Sequence, residues 1–407
     1  MSACGHEKGL ISIDEAIDHI LNTVKPLGTE NIELQNSLSR YLAQPIHSPV
    51  NLPSFDQSAV DGYALCASDI IEKNQCFELI GEIRAGQSSD LVLKAGQATR
   101  IFTGGKLPEG CTTIARQEIV HRLDDHRIQI TETLQANIDI RRQGEELALG
   151  QQVANKDQYL KTGPLAALSM AGVQQVDVYR QPKVAVVITG DEVATEQNSL
   201  SIAHVYDANG PLIKAWFQER HIQVEILHIH DEAKALSELF ARLKNHYDVI
   251  VTTGGVSVGD YDFVRPCAFE VGFKEIFWKV KQKPGKPIFF AKYQQDQHAC
   301  YLLGLPGNPA AVYVCMQVYT RLLIDALQGQ NQNIDWFEVK LAQPLKADKR
   351  ERFMRMKLEL HAGELSAANL ANQQSHMLSN LMDANCLVRV PADISPEVGT
   401  LVSAIRI

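Results

Sequence analysis

From Pro182 onward this 407-residue chain alternates short apolar runs with segments of helical spacing, and that rhythm narrows the fold more than any other feature. Residues 184–189, 223–229, 248–253, 274–280 and 301–305 read as strands. Residues 210–220, 232–246, 262–269 and 309–327 read as the intervening helices. The pattern predicts an α/β domain built on a doubly wound, mainly parallel sheet. Three glycine turns follow three of its strands: TGDE at 189–192, TGGVSVGDYD at 253–262 and GLPGNP at 304–309. Strands of a parallel sheet end on the same side, so these turns should share one rim, where open α/β sheets bind ligands.

The turn chemistry points to a phosphorylated ligand. VIVTT at 249–253 is a buried strand entering a glycine-rich bend whose backbone N–H groups can cradle a phosphate. Asp260 and Asp262 add hard oxygen ligands beside it, suited to Mg²⁺. Glu192, Asp207 and Asp231 fall at or just beyond other predicted strand ends. Lys279, Lys283 and Lys286 concentrate positive charge in WKVKQKPGKP, and the two prolines stiffen that loop against the entropy cost of holding an oxyanion. His228 and His230 share one strand face, but no third ligand accompanies them at a metal-site spacing, so a core or surface role fits them better.

Outside this region the texture changes. Ser12 and Glu15 form a capping box ahead of a helix over 12–24. Residues 29–147 carry short β-like runs (76–80, 98–102, 128–133) broken by Gly, Pro and Asp, which suggests an inserted, mostly β module. Two of its stretches mix polar with apolar residues: PSFDQSAVDGYA at 53–64 and IFTGGKLPEG at 101–110. Residues 148–180 return to helix, with Gly163-Pro164 as punctuation, and alternation after Asn331 fits a small β-barrel or sandwich. Lys and Arg number 39 against 48 Asp and Glu, and the net charge of −9 argues against a nucleic-acid groove. No apolar run approaches the ~20 residues of a membrane span, and the N-terminal stretch lacks a signal-peptide pattern. Eight scattered cysteines without C-x-x-C read as small hydrophobes, so a cytoplasmic location is expected.

Together the motifs closely resemble the molybdopterin molybdenumtransferase family, which includes the E domain of gephyrin. To the strings already quoted are added RRQGEEL at 141–147, YDAN at 206–209, KPGKP at 283–287 and SHMLS at 375–379. The resemblance implies four domains: a helical linker module (1–28 plus 148–181), the inserted β module (29–147), an α/β molybdopterin-binding domain (182–329) and a C-terminal β-barrel (330–407). It implies a homodimer whose cleft lies between the α/β domain of one subunit and the β module of the other. The implied reaction inserts molybdenum from molybdate into adenylated molybdopterin, with Mg²⁺, releasing AMP. The substrate would be handed over by the molybdopterin adenylyltransferase, with neither nucleic acid nor membrane as partner. A non-catalytic carrier of the molybdenum cofactor is the alternative. By resemblance Asp61, Thr103, Asp262, Lys279 and Lys283 would be catalytic. Glu192, Asp231, Asp260 and Asp262 would support the metal. Gly190, Asp207, Gly254, Gly255, Ser257, Gly259, Lys286, Pro306, Gly307, Asn308, Arg355 and Ser375 would bind substrate. Three positions depart from the family pattern: Ala311 replaces a frequent Ser, Glu146 a common Asp, and Gln57 the usual Asn.

Overall fold

The computed structural model describes residues 10–87, 90–190, 193–194, 205–256 and 262–407. The chain forms two compact units, one of residues 1–30, 39–41 and 179–407, the other of 31–38 and 42–178.

The larger unit is centred on a six-stranded sheet. Its strands in chain order are β1 (Val184–Thr189), β2 (Val224–Ile229), β3 (Val249–Thr253), β4 (Lys274–Trp278), β5 (Phe289–Gln295) and β6 (His298–Leu305). Their spatial order is β2-β1-β3-β6-β5-β4. β2, β1, β3 and β6 are parallel, while β5 runs antiparallel to both β6 and β4. Every residue of β1 and β3 is buried, as befits strands covered on both faces. Helices Ile13–Thr23, Asn209–Gln218 and Pro309–Cys315 pack through Ile17, Phe217 and Val312 into the apolar layer of one face. Helices Ala233–Leu243 and Val264–Glu270 bury Phe240 and Cys267 on the other. The doubly wound architecture expected from the sequence is therefore present.

The predicted long helix at 309–327 is divided by a π turn at Met316–Thr320 before Arg321–Leu327. Its apolar length would suffice for a membrane, yet 83% of that window is buried inside the fold, so it is a core helix. β5 escaped the sequence reading because its second half, Lys292-Tyr293-Gln294-Gln295, turns exposed and polar as the hairpin leaves the core. Beyond the sheet, Glu351–His361, Glu364–Asn369, Phe337–Leu341, Leu401–Arg406 and Cys386–Val390 pair in that order, and the last closes on the first to make a five-stranded barrel.

The smaller unit holds a six-stranded sheet in which Gly62–Leu65 pairs with Gln97–Ile101 on one side and with the edge strand Thr113–Arg116 on the other. The expectation of helix over 148–180 needs correction: only Thr162–Met170 is helical, flanked by strands Gln152–Ala154 and Gln175–Tyr179. Pro164 falls inside that helix's first turn, where its missing N–H has no intrahelical acceptor to lose.

Candidate active site

In the larger unit, the three glycine turns lie on adjacent strands. Ile188 of β1 pairs with Thr253 of β3, and Thr253 with Leu305 of β6, so all three strands end level. The connection from β1 leads outward to β2, whereas the chain leaves β3 toward the opposite edge. The switch point therefore falls between β1 and β3. Cross-bonds fix the turns to one another. Gly254 N–H donates to the Leu305 carbonyl at 3.1 Å, and Thr189 Oγ1 donates to the Thr253 carbonyl at 3.1 Å. Gly254 has φ +82°, and a Cβ there would sit 2.9 Å from Thr189 Oγ1, so only glycine brings the main chain this close.

The YDAN segment joins the same rim. Asp207 Oδ1 accepts from Gly210 N–H at 2.9 Å, capping the following helix, and its Oδ2 lies 3.3 Å from His228 Nε2. His228 thus has a carboxylate neighbour, and Asp207 is largely engaged by its own fold. Asn209 Nδ2 donates to the Gly307 carbonyl at 2.9 Å, while its buried Oδ1 has no hydrogen-bond partner. The buried hydroxyls of Thr252 and Thr253 are likewise unpartnered. The two threonines alternate along β3 and so point to opposite faces of the sheet, which leaves Asn209 Oδ1 as the open acceptor nearest the Gly307 turn.

The lysine loop after β4 borders this rim through Trp278, whose Nε1 donates to the Val256 carbonyl at 2.9 Å. Lys279 is 7% exposed, adopts φ +70° and sets its Nζ 4.0 Å from the Trp278 ring centroid. Lys283 faces elsewhere: its Nζ is 2.8 Å from Asp348, and this cation holds the Asp348 carboxyl below its usual pKa. Lys286 is half-buried in the same loop. Underneath, the fully buried Gln282 amide donates to the Gly285 carbonyl at 3.1 Å and accepts from Tyr319 OH in the π turn. Gln282 Nε2 also lies 3.7 Å from Cys315 Sγ. This network ties KPGKP to the helix that follows GLPGNP, and it leaves no trace in local sequence because the Gln282–Tyr319 pairing spans 37 residues.

A loop of the C-terminal region also reaches the rim. The Ser375 carbonyl accepts from Ala310 N–H at 3.0 Å, satisfying a first-turn donor of the helix after Pro306-Gly307-Asn308. Arg355 corrects the expectation of a direct substrate contact. At 1% exposure its guanidinium donates to the carbonyls of Met377, Asn372 and Gln374, at 3.0, 3.1 and 3.3 Å. It therefore shapes the Ser375 loop from behind. Ala311 is 2% exposed, with its carbonyl 3.9 Å from where a Gly285 Cβ would stand.

Of the proposed metal ligands, Asp231 and Asp262 follow β2 and β3, and both are half-buried. Glu192 and Asp260, like Ser257 and Gly259, lie outside the described residues. Among the described residues no three His, Cys, Asp or Glu side chains gather as a metal cluster. Gly190 and Gly255 close the β1 and β3 turns with φ +130° and +64°.

The smaller unit carries its own polar constellation. Asp61 Oδ1 accepts from both Thr103 N–H at 2.8 Å and Thr103 Oγ1 at 2.7 Å, and these bonds hold its carboxyl below the ordinary range. The pairing follows from register, since Gly62 opposes Ile101. Arg100, which the sequence reading passed over, stacks 4.9 Å from the Tyr63 ring and 5.0 Å from Phe102, and adds positive potential at Asp61. RRQGEEL closes in from the other side: Arg142 Nη1 meets Asp56 at 2.7 Å, Gln143 N–H donates to the same carboxylate, and Arg141 pairs with Gln57.

Comparison with known proteins bears on both units. Residues 11–172 match the model described as MoeA N-terminal region (domain I and II). Residues 185–326 match a probable molybdopterin binding domain, and 338–407 the MoeA C-terminal region (domain IV). A Haemophilus influenzae protein named molybdopterin molybdenumtransferase is 32% identical over 388 residues, covering 93% of this chain and 94% of the relative. One of the same name from Nostoc sp. is 32% identical, covering 93% and 90%. The crystal structure of a molybdopterin biosynthesis MoeA protein from Pyrococcus horikoshii superposes with a TM-score of 0.78 at 25% identity, covering 97% of this chain and 98% of that one.

Proposed function

Because the chain belongs to the molybdopterin molybdenumtransferase family and so to molybdenum cofactor biosynthesis, we propose that it transfers molybdenum from molybdate to adenylated molybdopterin and releases AMP. The observation that best supports this reading is the level alignment of three donor-rich turns across the switch point, with the unpartnered Asn209 Oδ1 beside them. A pterin offers N–H donors to such an acceptor, and its phosphate suits the glycine N–H groups. Lys279 and Lys286 would bind the oxyanion. Lys283 would join them only after leaving Asp348, so its contribution is to loop docking in the resting state.

Asp61, held ionised by Thr103, would act at the phosphoanhydride as part of a cleft shared with a second copy of the chain. We read the β module of one subunit as facing the α/β rim of its partner, and the chain as four domains with boundaries near residues 28, 147, 181 and 329. Mg²⁺ typically takes only one or two protein carboxylates and completes its shell with phosphate oxygens and water. One or two of the four carboxylates, Asp231 and Asp262 being the described candidates, would hold it, and its charge would offset that of the anhydride. The protein's own work is positioning and charge complementarity, with no covalent intermediate. A cytoplasmic location and delivery of substrate by the molybdopterin adenylyltransferase complete the reading.

The decisive assay combines purified protein, adenylated molybdopterin and Mg²⁺, with and without molybdate. AMP release that depends on molybdate is expected. Stoichiometric ligand binding without AMP would replace the transferase by a carrier.

A further inference from the structure

Trp278 ends β4 between the two loops that carry the proposed chemistry. Its N–H reaches the Val256 carbonyl of the β3 turn, and two cations approach its ring. Lys279 Nζ lies 4.0 Å from the ring centroid and the Arg265 guanidinium carbon 4.1 Å. Arg265 also pairs with Glu275 at 2.6 Å, which balances its charge. Lys279 is buried and left-handed, and its backbone is clamped by bonds from Lys279 N–H to Ile288 and from Ile11 N–H to the Lys279 carbonyl, at 3.0 and 3.2 Å. A non-glycine residue persists in that conformation only where its surroundings over-determine it, and such residues cluster at functional sites. An aromatic face holds an ammonium in place without cancelling its charge.

We propose that Trp278 is a positioning residue: its ring fixes the Lys279 ammonium for the molybdate-binding step, and its N–H locks the lysine segment to the glycine turn after β3. The inference rests on the reading of Lys279 as an anion-binding group. Turnover and KM would be measured for wild type, Trp278→Phe, Trp278→Leu, Lys279→Ala and the Trp278→Leu/Lys279→Ala double variant of the full chain. Trp278→Leu should lower kcat about tenfold or more while leaving KM for the adenylated pterin within about twofold, because only orientation is lost. Trp278→Phe, which keeps a ring face, should recover most of that loss. The double variant should be no slower than Lys279→Ala alone.

Titration of wild-type protein with molybdate should change tryptophan emission, and Trp278→Phe should abolish the change. This readout stands even if Trp278→Leu fails to fold. Independent, multiplying effects of the two substitutions, Trp278→Phe as slow as Trp278→Leu, or a silent wild-type titration would each overturn the role of Trp278 alone. Wild-type turnover by Lys279→Ala would instead overturn the reading of the rim, and the role of Trp278 with it.

Discussion

Asp61 shows how a single side chain acquires a task from its surroundings. The sequence marked it within a polar string, but only strand register brings Thr103 N–H and Oγ1 to the same carboxylate oxygen. Replacing Asp61 by Asn keeps the shape and removes the charge. We expect AMP release to fall by about a hundredfold or more, the scale of losing one preorganised electrostatic group, with an unchanged melting temperature. Wild-type turnover in Asp61→Asn would detach the smaller unit from the chemistry. Asn209 and Gln282 illustrate the reverse situation. Each gains meaning from a partner distant in sequence: Gly307 lies 98 residues from Asn209, and Tyr319 lies 37 from Gln282. Arg355 was visible as a charged residue, yet a charge in a sequence does not say whether it meets a ligand or three main-chain carbonyls.

Among elements, those with uniform burial were legible. β1 and β3 are buried throughout and mostly apolar because helices cover both faces, and the sequence bounds agree with the observed ones to within a residue. β5 and the irregular stretch after Ala148 were not legible, since their residues are half-exposed and no period survives. The KPGKP loop is stiff for a reason beyond its prolines. Gly285 has φ +89°, and a Cβ there would stand 2.7 Å from Gln282 Nε2 and 2.9 Å from Cys315 Sγ. Gly285→Ala should therefore destabilise the protein by about 2–3 kcal/mol, through backbone strain and overpacking, as read by chemical denaturation. It should also weaken molybdate binding, because the displaced amide carries the lysine loop with it. A denaturation midpoint equal to wild type would show that the loop relaxes freely.

At the scale of the whole molecule, two experiments bear on assembly and integrity. If the cleft is shared between subunits, a mixed dimer of Asp61→Ala and Asp262→Ala chains retains one intact site, and it should regain about half of wild-type activity. No recovery would mean that each chain completes its own site. Within the larger unit, Arg389 of the barrel grips Asp14 of the first helix by two bonds, at 2.7 and 2.9 Å, and lowers the Asp14 pKa. A depressed carboxyl stabilises the fold above its unfolded value of about 3.9 and loses that effect as pH falls through the folded value. Asp14→Asn should thus cost about 1 kcal/mol or less at pH 7, given the exposure of Asp14, and the difference from wild type should vanish in acid. An equal difference at pH 2 and pH 7 would show that the contact is not ionic. The sequence by itself determined the doubly wound sheet and its level glycine turns, because hydrophobic period and glycine placement are local and strand direction then follows from connectivity. That Lys283 meets Asp348, that Arg355 meets three carbonyls and that Lys279 lies against Trp278 was decided only by tertiary structure, because those energies depend on distances between groups that folding alone positions.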